Sequence, residues 1–112
     1  MPKISNQQIA DLMVTALEGG SNYWIDRVEP RYTCHHDYSE PQNYGPDMVE
    51  RALFAEDDDT PYLLNDEAIQ NGLRLMPTLC PHHWADVVND NVDADTADVF
   101  LQLCVFGELV YG

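Results

Sequence analysis

Residues 96–111, TADVFLQLCVFGELVY, are apolar on nearly every side of a helix, because Val99, Phe100, Leu103, Cys104, Val105, Phe106, Leu109 and Val110 leave no clean polar stripe. A helix of this kind is stable only when something apolar surrounds it. Gln102 and Glu108, in a stretch this short, argue against lipid as that surrounding. The segment is therefore expected to be the buried central helix of a domain, with the rest of the 112-residue chain packed around it. At this length a single compact domain over residues 1–112 is expected, too small for separate substrate and cofactor units.

The other elements follow from caps, breakers and periodicity. Ser5 followed by Gln8 makes a capping box, and Ile9, Leu12, Met13, Ala16 and Leu17 recur at helical spacing, so residues 6–18 are expected as an amphipathic helix ended by Gly19-Gly20. Ser21 is expected to cap a short second helix carrying Tyr23, Trp24 and Val28, closed by Pro30, with Trp24 turned inward. A short strand near residues 31–34 and a long loop should follow. Residues 48–55, MVERALFA, alternate in charge like an exposed strand. Followed by the turn AEDDDT and then PYLL, they suggest a β-hairpin. Asn65 is a good N-cap for a third helix built on Ile69, Leu73, Leu75 and Met76 and broken at Pro77 and Pro81. A fourth, over residues 82–90, would turn Trp84, Val87 and Val88 inward. The expected class is α+β: mostly helical, with a small β-hairpin or short sheet and a buried C-terminal helix.

Charge bears on partners more than on fold. Twenty Asp and Glu against five Lys and Arg give a net charge of −15. Such a surplus serves solubility or an electropositive partner. Direct binding to nucleic acid is disfavoured, because nothing basic is available to neutralise phosphates. The stretch NDNVDADTADVF, residues 89–100, alternates aspartate like a calcium loop but has Ala94 at the sixth position and Phe100 at the twelfth, where glycine and a bidentate glutamate are needed. Part of its acidity has a local reason: Asp95 or Thr96 is expected to cap the central helix, with Asp98 in its first turn. The remainder does not. Asp86 and Asp90 stand four apart on a predicted helix, where like charges cost roughly 0.2–0.5 kcal/mol, and no Lys or Arg follows Arg74. With Asp57, Asp58 and Asp59 in a separate turn, Asp86, Asp90, Asp93 and Asp95 could present carboxylates at phosphate-like spacing. An ordinary solvated acidic surface has the same composition.

Chemistry-bearing motifs are sparse. CHHD at residues 34–37 and CPHH at 80–83 have the residue types of a zinc site, but their spacing fits no zinc finger, and Cys80 reads equally well as a buried neighbour of Trp84. A Cys-His nucleophile would need an electropositive setting, which this chain lacks. There is no GxSxG, glycine-rich phosphate loop or HExxH. No enzyme, catalytic residue, metal or cofactor is therefore expected. A site using Cys34, His35, Cys80 and His82 is left as the third alternative. Three cysteines cannot all pair, and neither a signal peptide nor a twenty-residue apolar span is present, so a reduced, cytosolic, soluble protein without a membrane role is expected. The loop tyrosines Tyr38 and Tyr44 are candidates for an interface.

The stretches ALEGGSNYW (16–24), AIQNGLRLM (68–76) and DADTADVFLQLCVFGELVYG (93–112) resemble a family of small, uncharacterised acidic proteins of bacteriophages and prophages. The resemblance covers most of the chain, is weakest over residues 31–60, and carries over no site residue. It implies a phage accessory product acting in the bacterial host cytoplasm. Many small acidic phage proteins are stoichiometric inhibitors, including anti-CRISPR proteins and other DNA mimics. The expected function is thus a non-enzymatic inhibitor whose partner is a bacterial nucleic-acid-binding protein with a basic groove. The partner-binding residues would be Asp57, Asp58, Asp59, Asp86, Asp90, Asp93 and Asp95, with Tyr38 and Tyr44. The alternative is a structural or assembly module that self-associates, for example as a homodimer, and is acidic only for solubility.

Overall fold

The computed structural model describes residues 4–30, 51–56 and 59–112. Their order is α1 (Asn6–Thr15), a π-helical turn (Ala16–Gly20), β1 (Ile25–Pro30), β2 (Arg51–Ala55), β3 (Tyr62–Leu64), α2 (Asp66–Leu79), α3 (Pro81–Val88) and α4 (Ala94–Phe106). This is an α+β arrangement in which helices pack on one small antiparallel sheet. As the all-round apolar sequence requires, α4 lies at the centre, with Ala97, Phe100, Leu101 and Leu103 wholly buried and α1, α2, α3 and β3 packed around it.

The caps form largely as the sequence predicts. The Ser5 hydroxyl accepts from the Gln8 amide at 3.1 Å, and the Gln8 side chain accepts from the Ser5 amide at 2.8 Å. The same Gln8 side chain donates to the Val87 carbonyl at 3.0 Å, fastening the start of α1 to the end of α3. Asn65 caps α2 by accepting from Ala68 N. The expected hairpin is present as β2 and β3, paired Arg51 with Leu64 and Leu53 with Tyr62.

Several expectations need correction. The helix predicted after Ser21 is a turn followed by β1, which pairs antiparallel with β2 through Val28 and Leu53 and has a bulge between Ile25 and Arg27. Ser21 sends its hydroxyl to Asp98 and not to a following amide, its carbonyl accepts from the Trp24 and Ile25 amides to close a turn, and the β-branched Ile25 and Val28 gain a partner strand. α2 runs through Pro77 to Leu79, held by burial of Met76 against the core, and the break falls at Cys80. Cys80, which precedes Pro81, leaves helical geometry with φ −136° and ψ 63°, and Pro81 opens α3 at a position where no amide hydrogen is missed. Cys80 itself is half-buried and not enclosed. α4 is capped by Asp93, not by Asp95 or Thr96, and it stops at Gly107, whose φ of 75° is the left-handed conformation glycine tolerates best. Residues 107–112 are therefore a tail and not a continuation of the helix. The strand expected near residues 31–34 lies outside the described residues.

Two glycines set how closely the elements approach. A methyl group on Gly72 would overlap Cys104 Sγ and stand 3.2 Å from Phe100 Cε1, so α2 and α4 meet backbone against side chain there. A methyl on Gly20 would meet the Ala94 carbonyl, so the π-helical turn rests directly on the first residue of α4. That contact brings the segment after α1 to the buried side of the central helix. No helix among the described residues is long and apolar enough to cross a membrane.

Candidate functional site

The polar centre of the molecule is Asp98, which is 7% exposed on the largely apolar α4. A carboxylate buried this deeply must have its acceptor positions filled. Ser21 Oγ and Trp24 Nε1 each donate to Oδ1 at 2.7 Å, while Tyr23 Oη donates to Oδ2 at 2.5 Å and Gln102 Nε2 at 3.0 Å. Three of these donors come from four consecutive residues, Ser21 to Trp24, which the Gly20 contact holds against α4. Four donors use the four lone-pair directions of a carboxylate. Asp98 thus has no free position from which to take a proton from a substrate, and as arranged it anchors the turn and is not a general base.

Gln102, one helical turn further on and 1% exposed, extends the network to the tail. Its Oε1 accepts from the amides of Val110 and Tyr111 at 2.8 and 2.9 Å, and its Nε2 donates to the Tyr111 carbonyl at 3.1 Å. One side-chain amide therefore pairs with the tail as a neighbouring strand would. The pairing lays the Tyr111 ring on Trp24 in a parallel stack, centroids 5.4 Å apart, and both rings contact Phe106. Tyr23 Oη also accepts from Gln102 Nε2 at 3.3 Å. Burial of the hydroxyl, reinforced by the Asp98 carboxylate that holds its proton, pushes the Tyr23 phenol up to about 12.

Between the tail and the N-terminal half of α4 lies an open cleft of about 600 Å³, walled by Tyr23, Val99, Leu109 and Tyr111, with Asp98 and Asp95 facing it and His83 also lining it. His83 Nδ1 is 2.9 Å from the Thr96 hydroxyl. The Thr96 amide, then its hydroxyl, bond the Asp93 carboxylate and hold it below the usual carboxylate range, with His83 adding to the effect.

The acidic residues expected to bind a partner fall in two places. Asp86, Asp90, Asp93 and Asp95 share one corner, where α3 turns into α4. Three of them have local work there: Asp93 caps α4, Asp90 has φ 58°, and the Asp86 carbonyl accepts from Asn91 N at 2.8 Å while Asp90 N donates to the Val87 carbonyl at 3.1 Å. That pair of bonds is the helix-ending motif usually completed by glycine, here completed by an aspartate. The corner is thus fixed at both helix ends, and only Asp95 is exposed with no such task. Among the described residues, the ion pairs join Arg27 to Asp26 and to Glu29, so no Lys or Arg neutralises this corner. Asp59 is exposed on the β2–β3 turn and close enough to Arg27 to favour its charge. Asp57, Asp58, Tyr38, Tyr44, Cys34 and His35 lie outside the described residues.

Sequence reasoning placed Asp98 in the first turn of a capped helix and used Gln102 only as an argument against a membrane span. The signal that could have identified them is their spacing: two polar residues four apart, on one line of a helix that is otherwise apolar after its first turn. The segments ALEGGSNYW and DADTADVFLQLCVFGELVYG, far apart in sequence, meet in this one network. Comparison with protein-family models, with curated proteins and with solved structures gave no match.

Proposed function

We propose that this chain is a non-enzymatic, stoichiometric inhibitor of a bacterial nucleic-acid-binding protein, occupying its basic groove as a mimic of DNA. The observation that supports the reading is the α3–α4 corner: Asp86, Asp90, Asp93 and Asp95 on a backbone fixed by an N-cap and a helix-ending motif, with no Lys or Arg paired to them among the described residues. A fixed array of one sign attracts a basic surface over long range and speeds association. A diffuse surface of equal charge would give less specificity.

The test uses a variant in which those four aspartates become asparagine. Asparagine also caps helices and tolerates positive φ, so the corner keeps its shape while losing four charges. Proteins captured from a bacterial lysate by the intact chain are assayed for duplex DNA binding by fluorescence anisotropy. The expected results are displacement of DNA by the intact chain, steep weakening with added salt, and at least about a tenfold loss for the variant. Capture of a partner that binds no DNA, or affinity indifferent to both salt and the substitutions, would remove the reading.

A second reading, a self-associating assembly module, is favoured by one observation: Tyr23, Leu109 and Val110 are each about half exposed around the tail. A homo-oligomer that sediments identically at low and high salt would favour it over mimicry.

A further inference from the structure

A carboxylate held by neutral donors keeps its whole charge. All four groups bonded to Asp98 are uncharged, and among the described residues no Lys or Arg forms an ion pair with it or with Asp95. The field of both carboxylates therefore reaches the cleft they face, and the surrounding low-dielectric walls concentrate it there. Those walls are not polar. Tyr23 and Tyr111 supply aromatic surface, Val99 and Leu109 aliphatic surface. A ligand that suits this cleft carries positive charge on a body that lies well against apolar and aromatic groups.

Among protein side chains, the planar and weakly hydrated guanidinium of arginine meets both requirements, whereas the ammonium of lysine is compact and strongly hydrated. The molecule already shows this combination on its sheet. Arg27 lies 3.8 Å from the centre of the Phe54 ring, and its Nε is 2.7 Å from Glu29 Oε2. Tyr23 or Tyr111 with Asp95 would repeat that combination for an incoming side chain. We propose that the cleft between the tail and α4 receives an arginine side chain of the partner protein. This rests on the mimicry reading, because an arginine that grips a DNA phosphate is what a mimic would have to engage. A cleft of this volume also leaves room for the backbone on either side of that arginine.

The experiment titrates N-acetyl-arginine-amide into the intact, ¹⁵N-labelled chain at about pH 8 and low ionic strength. The readouts are the Trp24 indole N–H and the amides of Val99 and Tyr111. Saturable shifts confined to these signals are expected, with binding about two- to fivefold tighter than for the lysine analogue. Asp95→Asn should weaken binding by about two- to fivefold, and Glu67→Gln, an exposed acidic residue on α2, should leave it unchanged. Shifts spread equally over amides beside Asp11, Asp59 and Glu67, equal binding of the lysine analogue, or no shift at all would overturn the proposal. If any of these occurs while a captured partner is still displaced from DNA in a salt-dependent way, the cleft assignment fails and mimicry stands. Localised arginine binding without any DNA-binding partner supports the cleft and removes mimicry.

Discussion

Replacing Asp98 with alanine removes the acceptor of four hydrogen bonds, and the cost depends on what each donor can do next. Tyr23, about half exposed, can turn its hydroxyl to water, and Gln102 keeps the Tyr111 carbonyl. Ser21 and Trp24 have no such escape, being 0% and 1% exposed. Each buried donor left without a partner costs about 1–3 kcal/mol, so the two together cost about 2–6 kcal/mol. Removing a buried charge returns part of its desolvation cost, which places the expected net loss near 3 kcal/mol. Against a total stability of roughly 5–15 kcal/mol for a domain, that is a large fraction. Urea unfolding followed by far-ultraviolet circular dichroism measures it without depending on the tryptophans. A double-mutant cycle with Trp24→Phe isolates one donor, because once the indole N–H is gone no orphan remains at that position. The coupling should be about 1–2 kcal/mol. A loss below about 1 kcal/mol for Asp98→Ala, or strict additivity in the cycle, would refute the view that this carboxylate fastens the Ser21–Trp24 turn to α4.

Gly72→Ala should destabilise the protein by about 1–3 kcal/mol despite the better helix propensity of alanine, because the new methyl overlaps Cys104 Sγ. In a Cys104→Ala background the same change should become neutral or stabilising, and thermal unfolding of the two pairs checks this. Asp90→Gly should raise stability by about 0.5–1 kcal/mol by relieving a positive φ in a non-glycine residue, whereas Asp90→Val should lower it by more than about 1 kcal/mol. Equal stability of the two variants would show that the α3 terminus can relax at no cost. Tyr23 titrates above the ordinary tyrosine value of 10.0, so its neutral form is the one favoured by folding. Its contribution is complete below pH 10 and is lost as pH rises from there to about 12. Tyrosinate absorbance should show a late-titrating component that Tyr23→Phe removes, and Asp98→Asn should move its midpoint back towards 10.0.

How far the sequence could be read depended on the range of the forces involved. The α1 cap at Ser5 and Gln8, the α2 cap at Asn65 and the central place of α4 are decided within a few residues or by gross apolarity, and they stand as expected. Residues 21–30 were misassigned because their structure is set by partners far away. Ser21 bonds Asp98 across 77 positions, and Val28 pairs with Leu53. Neither contact leaves a local mark. Pro77 misled for a similar reason, since burial of Met76 outweighs the breaker. The acidic corner was legible as composition, but its division of labour was not. The Asp93 cap and the Asp90 turn are local motifs, but which of several nearby aspartates takes each task depends on where α3 ends and α4 begins.

The close crossing at Gly72 has a practical consequence for watching the molecule open. The Cys104 thiol is sealed under that crossing, and burial pushes it far above the range in which a thiol reacts. An alkylating reagent can reach it only when the second helix lifts away from the fourth. The rate at which peptide mass mapping finds position 104 labelled would then time that parting, a clock already wired into the native chain.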